Sequence, residues 1–161
     1  MLHLYCGNGK GKTTAAMGLA LRAAGRGKRV VIAQFLKGAD SGERLALARL
    51  PQVTLLPVPD AVKFSFRMSE AQRYQDLLKL ISRTARGCFL LVLDEACAAV
   101  NTGLLPLEDL LACLDSLECE VVLTGRDPAP ELMERADYIT SMEAGRHPFE
   151  QGITAREGIE F

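Results

Sequence analysis

The segment Gly7-Asn8-Gly9-Lys10-Gly11-Lys12-Thr13 constrains this chain more than any other stretch. Leu2 to Tyr5 reads as a strand, Gly7 to Gly11 as a turn needing unusual backbone angles, and Thr13 to Ala24 as an alanine-rich helix. That order brings successive backbone N–H groups and the positive end of a helix to one point, where they cradle phosphate. Lys12 adds a full positive charge, and the Thr13 hydroxyl suits Mg²⁺. One exposed dipole contact contributes only about 0.3–1 kcal/mol, so several must converge to hold a triphosphate. ATP is therefore expected on Gly7, Asn8, Gly9, Lys10, Gly11, Lys12, Thr13 and Thr14. The strict pattern G-x-x-x-x-G-K-[ST] fails at its first position, which is Cys6. Gly7 and Gly9 supply backbone freedom immediately afterwards. The bland alternative is a glycine turn that merely joins strand to helix.

A second element weighs against that alternative. Phe89-Leu90-Leu91-Val92-Leu93-Asp94-Glu95 is an apolar strand ending in two acids, the arrangement that reaches Mg²⁺ in phosphate-loop proteins. Carboxylates suit a hard cation. Thr13, Asp94 and Glu95 are the candidate metal-site residues, with no division of labour between the two acids. Lys12, Thr13 and Glu95 are the candidate catalytic residues. Arg126, after Leu123-Thr124-Gly125, is a candidate phosphate contact or a solvated loop arginine.

Short β-rich apolar runs alternate with amphipathic helical stretches, which predicts an α/β fold with a mostly parallel sheet flanked by helices. The expected strands are Leu2 to Cys6, Arg29 to Leu36, Val53 to Val58, Cys88 to Leu93, Glu120 to Thr124 and Tyr138 to Met142. Ser69 and Gln72 form a capping box ahead of an apolar stripe through Tyr74, Leu77, Leu78, Ile81 and Ala85. Pro106 suits a first helical position before Leu107, Leu110, Leu111 and Leu114. Irregular stretches are expected at Gly38 to Gly42, Pro57 to Arg67 and after Glu143.

At 161 residues, with 48% hydrophobic and 24% charged side chains, one domain with an ordinary core is expected. A net charge of −1 supplies no general basic field for nucleic acid or an anionic membrane. The five cysteines lack C-x-x-C or zinc spacing and read as reduced, cytoplasmic residues. No export signal or membrane-length apolar run is apparent.

Across Leu4 to Phe161 the sequence resembles the phosphate-loop corrinoid adenosyltransferases. The resemblance rests on ordered blocks: Gly7 to Thr14, Gly18 to Gly25, Gln34-Phe35-Leu36-Lys37-Gly38, Ser41-Gly42-Glu43, Leu93-Asp94-Glu95, Leu123-Thr124-Gly125-Arg126, His147-Pro148-Phe149, and Gln151-Gly152-Ile153 ending in Gly158-Ile159-Glu160-Phe161. It implies a RecA-like fold and transfer of the 5′-deoxyadenosyl group of ATP to Co(I) of a corrinoid, with release of triphosphate. It also implies a homodimer and an electron-transfer protein that supplies reduced cobalt. The family's aromatic-x-aromatic element resembles Phe64-Ser65-Phe66, so corrinoid contact is carried onto Phe64 and Phe66; two core-tethering phenylalanines are the alternative. Many relatives have tryptophan at the second position, and this chain has none. Relatives also often carry asparagine where Cys97 stands, and extra residues ahead of the loop that help cover the site. Closure is therefore expected from elsewhere, or substrate handling differs. His147 is expected to organise the C-terminal segment rather than ligate cobalt.

Two other classes compete. One is a RecA-like NTPase or small kinase acting at the γ-phosphate, with Glu95 activating water or a hydroxyl. The other is a relative that holds nucleotide or corrinoid without turnover.

Overall fold

The computed structural model describes residues 1–36, 41–57, 70–146, 148 and 152–159. Strand β1 (Leu2–Cys6) leads through the glycine loop into helix α1 (Lys12–Gly25), and β2 (Val30–Gln34) follows. The order continues α2 (Gly42–Leu47), β3 (Val53–Leu55), α3 (Glu70–Thr84), β4 (Leu90–Asp94), α4 (Ala96–Asn101), α5 (Leu107–Asp115), β5 (Glu120–Thr124), α6 (Pro130–Arg135) and β6 (Tyr138–Ser141). The strands form a six-stranded sheet in the order β3-β2-β4-β5-β1-β6, with every pairing parallel.

Period-two alternation along β4 divides its side chains between two cores. Leu90 and Val92 pack with Ala16, Met17 and Ala20 of α1; Leu91 and Leu93 pack with Tyr74, Leu77 and Ile81 of α3 and Leu110 of α5. All five β4 residues are buried, which is why the strand reads as a continuous apolar run. The small side chains of α1 let that helix lie close against the sheet. Gly87 has φ +68, the left-handed region that favours glycine, and the backbone turns there from α3 towards β4.

β1 and β5 have the expected bounds, β2, β3 and β6 end before the expected limits, and β4 starts at Leu90 rather than Cys88 but runs one residue further, to Asp94; Val58, the expected end of β3, lies outside the described residues. Phe35 has left the strand yet stays buried, accepting a hydrogen bond from Tyr74 Oη at 3.1 Å. Pro106 is the N-cap of α5 rather than its first helical residue. The short helices α2, α4 and α6 were not foreseen. Gly42, expected in an irregular turn, opens α2. Lys37, Gly38, Phe64, Phe66, Ser69, His147, Phe149 and Gln151 lie outside the described residues.

A parallel sheet collects its loops at the carboxyl ends of the strands. Here β5 separates β1 from β4, so the glycine loop and the Asp94-Glu95 pair flank the end of β5. Thr124 is therefore the residue between them.

Candidate functional site

The glycine loop owes its path to two left-handed residues and a brace. Gly7 has φ +91 and Gly11 φ +116. A Cβ on Gly7 would stand 2.4 Å from Met142 O, and one on Gly9 2.7 Å from the same oxygen. Backbone leaving β6 thus runs directly against the loop. It is tied there by Gly9 N–H donating to Met142 O at 2.6 Å and by Ala144 N–H donating to Asn8 Oδ1 at 3.0 Å. Cys6 is the last residue of β1, is buried, and is not among the residues with positive φ. Nothing at that position demands glycine, which explains the departure from the strict pattern.

Lys12 opens α1 and is 92% buried, being 8% exposed. Its ammonium donates to Gly7 O at 2.8 Å and Gly9 O at 2.7 Å. Burial pushes its pKa below the usual lysine value and Arg126 adds to that, while Glu95, Cys6 and Asp94 pull the other way. An anion in the loop would offset both unfavourable contributions.

Asp94, at the end of β4, is fully buried. Its Oδ1 accepts from Thr13 Oγ1 at 2.8 Å and from Thr124 Oγ1 at 2.7 Å; its Oδ2 accepts from Gln34 Nε2 at 3.0 Å. A threonine hydroxyl has one proton to give. Thr124 gives it to Asp94 and accepts from Glu95 N–H at 2.9 Å. That contact helps hold Glu95 at φ +59, a left-handed conformation uncommon for a side-chain-bearing residue. Glu95 caps α4 and turns from the sheet into the cavity wall.

The cavity measures about 550 Å³. Its walls include the loop from Asn8 to Thr14, Glu95, Arg126 and, from the C-terminal segment, Gly158 and Ile159. Lys10 Nζ donates to Ile159 O at 2.9 Å, so the C-terminal segment supplies part of the closure. Arg126 is exposed on a sharply turned loop. Gly125 has φ +151, Asp127 has φ +47, and Asn101 Nδ2 donates to the carbonyls of both Arg126 and Asp127. A Cβ on Gly125 would lie 2.5 Å from Cys97 Cβ. Cys97 is buried, and desolvation pushes its thiol up to about 12, so it packs as a small inert group beneath that turn.

The sequence-predicted residues Lys12, Thr13, Asp94, Glu95 and Arg126 therefore converge on one place. Thr124, Gln34 and Arg44 complete the polar network and had no assigned role from sequence. Gln34 and Thr124 had one advance signal, membership of resembling blocks, whereas Arg44 lies just beyond the Ser41-Gly42-Glu43 block and had none. The oxygen donors of Thr13, Asp94 and Glu95 suit Mg²⁺. Among the described residues, no cluster of three or more His, Cys, Asp or Glu could hold a metal alone. Such a sparse hard-oxygen set fits an ion that arrives with phosphate and water ligands of its own. Also among the described residues, no helix is long and apolar enough to cross a membrane.

Similar folds occur in solved proteins of low sequence identity. A KaiC-like protein, PH0186 from Pyrococcus horikoshii, superposes with a TM-score of 0.55 at 19% identity, covering 99% of this chain and 66% of that one. AMPPCP-bound DnaA from Aquifex aeolicus gives 0.51 at 15% identity, covering 96% and 47%. These likenesses establish a phosphate-loop fold. Sequence comparison is more specific. The corrinoid adenosyltransferase of Pseudomonas aeruginosa is 35% identical over 172 residues, spanning 100% of this chain and 83% of that protein. Corrinoid adenosyltransferase CobA of Salmonella typhimurium is 32% identical over 174 residues, spanning 98% and 84%. The profile described as ATP:corrinoid adenosyltransferase BtuR/CobO/CobP matches residues 1–161. With a phosphate loop, an acid-tipped β4 and that full-length match in one chain, the protein belongs to the ATP:corrinoid adenosyltransferase family.

Proposed function

We propose that this chain transfers the 5′-deoxyadenosyl group of ATP to the reduced cobalt of a corrinoid, in cobalamin biosynthesis or salvage. The observation that carries the reading is the family match over residues 1–161 of a chain whose phosphate loop opens onto a cavity of about 550 Å³.

Co(I) of the substrate is the nucleophile. Its electron pair forms the Co–C5′ bond, the C5′–O bond breaks, and triphosphate leaves with that bond's electrons. The protein need supply neither a serine–histidine pair nor a carboxylate base. It must orient two large reactants, which can be worth about 7–11 kcal/mol, and receive the leaving group's charge. Lys12, now on the carbonyls of Gly7 and Gly9, would exchange them for phosphate oxygens, a move that relieves its desolvation. Loop amides and Arg126 add donors around the same anion. Thr13 and Asp94, with Glu95 beside them, would hold Mg²⁺; when bound, Mg²⁺ neutralises charge on the triphosphate. Phe64 and Phe66 are proposed to contact the corrinoid. A homodimer and a separate reducing protein belong to the same reading, as does a cytoplasmic location.

One observation favours a second reading. Glu95 lines the cavity directly after Asp94, where it could polarise water towards a γ-phosphate. Incubation with Mg-ATP and chemically reduced corrinoid separates the two. Light-sensitive adenosylated corrinoid with triphosphate supports adenosyl transfer. Orthophosphate released without corrinoid dependence would replace it with an NTPase, and neither product would leave a binding protein.

A further inference from the structure

Asp94 is held from its far side by residues that adenosyl transfer does not itself require. Gln34 ends β2, is fully buried, and stands opposite Asp94 in the parallel pairing. Its Nε2 lies 3.0 Å from Asp94 Oδ2. A glutamine amide turned the other way would put its carbonyl against that carboxylate. Arg44 of α2 prevents the turn. Its Nη1 donates to Gln34 Oε1 at 3.0 Å, and a guanidinium has no acceptor, so the atom facing it must be the amide oxygen. The amide nitrogen is thereby turned towards acceptors, donating to Asp94 Oδ2 at 3.0 Å and, more weakly, to Glu43 Oε1 at 3.5 Å.

Arg44 is itself fixed. It is 9% exposed, and its Nη2 donates to Leu56 O at 3.0 Å, while Leu56 N–H donates to Ile32 O at 2.8 Å. One guanidinium thus joins the exit of β3, the end of β2 and, through one amide, the acid at the end of β4. Burial pushes the Arg44 pKa down and the neighbouring Glu43 opposes this. A buried guanidinium is costly to place without a full set of partners.

We propose that Arg44 and Gln34 are positioning residues for magnesium-nucleotide: Arg44 sets the Gln34 amide, and Gln34 pins Asp94 Oδ2 so that Oδ1 stays aimed at Thr13. The proposal rests on the reading that Thr13 and Asp94 hold Mg²⁺ with ATP. Neither positioning residue is on the wall of the nucleotide cavity. Their effect is confined to how much Mg²⁺ strengthens ATP binding.

The test is calorimetric titration of ATP into the full chain, once with Mg²⁺ and once with chelator. For the parent, Mg²⁺ should tighten binding. In Gln34→Met and Arg44→Met that gain should fall by about 10–100-fold, the usual cost of losing an outer-sphere partner. Affinity in chelator should stay close to the parent's. Arg44→Lys should lose the gain too, because one ammonium cannot reproduce the two-pronged contact. It also carries the test if either methionine variant fails to fold, as thermal melting would reveal. An unchanged Mg²⁺ gain in a folded variant overturns the proposal, as does full rescue by lysine or a parent with no Mg²⁺ gain. A parent that shows the gain but yields no adenosylated corrinoid overturns adenosyl transfer alone, and the variants then still decide the positioning role.

Discussion

Thr13 Oγ1 lies 2.8 Å from Asp94 Oδ1, joining the second residue of α1 to the last residue of β4 across 81 positions of sequence. The hydroxyl proton is spent on the carboxylate, so its lone pairs remain for a cation. Thr13→Val removes that ligand with little change in volume. It should leave ATP binding in chelator nearly intact and lower Mg²⁺-dependent turnover by about 10–100-fold, whereas Thr13→Ser should stay near the parent. Triphosphate release measured against Mg²⁺ concentration checks this, and equal loss in the serine variant would count against it.

The brace between Gly9 and Met142 gives a sharper contrast. An alanine at position 9 meets Met142 O at 2.7 Å and Glu143 backbone at 2.8 Å, whereas a Cβ on Gly18 meets nothing within 4 Å. Gly9→Ala should displace the loop at a cost of about 1–3 kcal/mol and weaken ATP binding. Gly18→Ala, inside α1, should raise stability by about 0.5–1 kcal/mol without altering binding. Melting temperature and calorimetric affinity, read on both variants, decide. A Gly9→Ala protein that binds ATP normally would show that the brace yields.

Away from the nucleotide cavity, Cys88 and Cys119 line one small cavity together, close enough for each thiol to shift the other's titration. The Cys88 contact pulls the Cys119 thiol down to about 7, and Cys88 is itself pushed up. A lowered thiol pKa means that thiolate accumulates as pH rises through about 7. Iodoacetamide should therefore modify half-buried Cys119 with a midpoint near that pH, ahead of buried Cys97 and Cys113, whose thiols are raised. Cys88→Ala removes the neighbouring thiol and should shift the midpoint towards the ordinary value of 9.0. Peptide mapping after timed alkylation reports the order, and a midpoint unmoved by the substitution would discard the pairing.

What sequence revealed and what it hid follow from range. The strand, turn and helix around Gly7 to Thr13 are local, and each glycine there answers to a backbone angle or a close approach. β4 was legible because burial on both faces makes it wholly apolar up to Asp94. Thr124 was hidden. It ends an ordinary apolar strand, and its role comes from β5 lying between β1 and β4, which periodicity does not encode. Gln34 and Arg44 matter only because α2 returns over the end of β2. Helices of six residues such as α2, α4 and α6 are also too short for an apolar stripe to register.

The corrinoid side of the site is argued from resemblance, and one variant can separate contact from redox tuning. Phe66→Ala should impair adenosylation driven by weak biological reductants far more than adenosylation of chemically pre-reduced Co(I) corrinoid. Adenosylated product formed under the two reducing regimes gives the comparison. Equal loss in both would leave Phe66 with a contact role and no part in tuning the cobalt's reduction.

Thr124 offers a test that depends on the observed strand order. Its hydroxyl joins Asp94 Oδ1 at 2.7 Å to Glu95 N at 2.9 Å. Thr124→Val retains the branched shape but leaves a buried carboxylate oxygen and a backbone N–H each one partner short. Leaving a buried polar group unsatisfied costs about 1–3 kcal/mol, so the variant should melt below the parent. The functional effect should be separate. Glu95 holds φ +59 beside that contact, and its release should reduce turnover even at saturating ATP. Thr124→Ser keeps the hydroxyl and should recover most of both losses. Melting temperature and kcat measured on the pair distinguish a hydroxyl effect from a packing effect: if serine proves as damaging as valine, the methyl group matters and the hydrogen-bonded bridge does not.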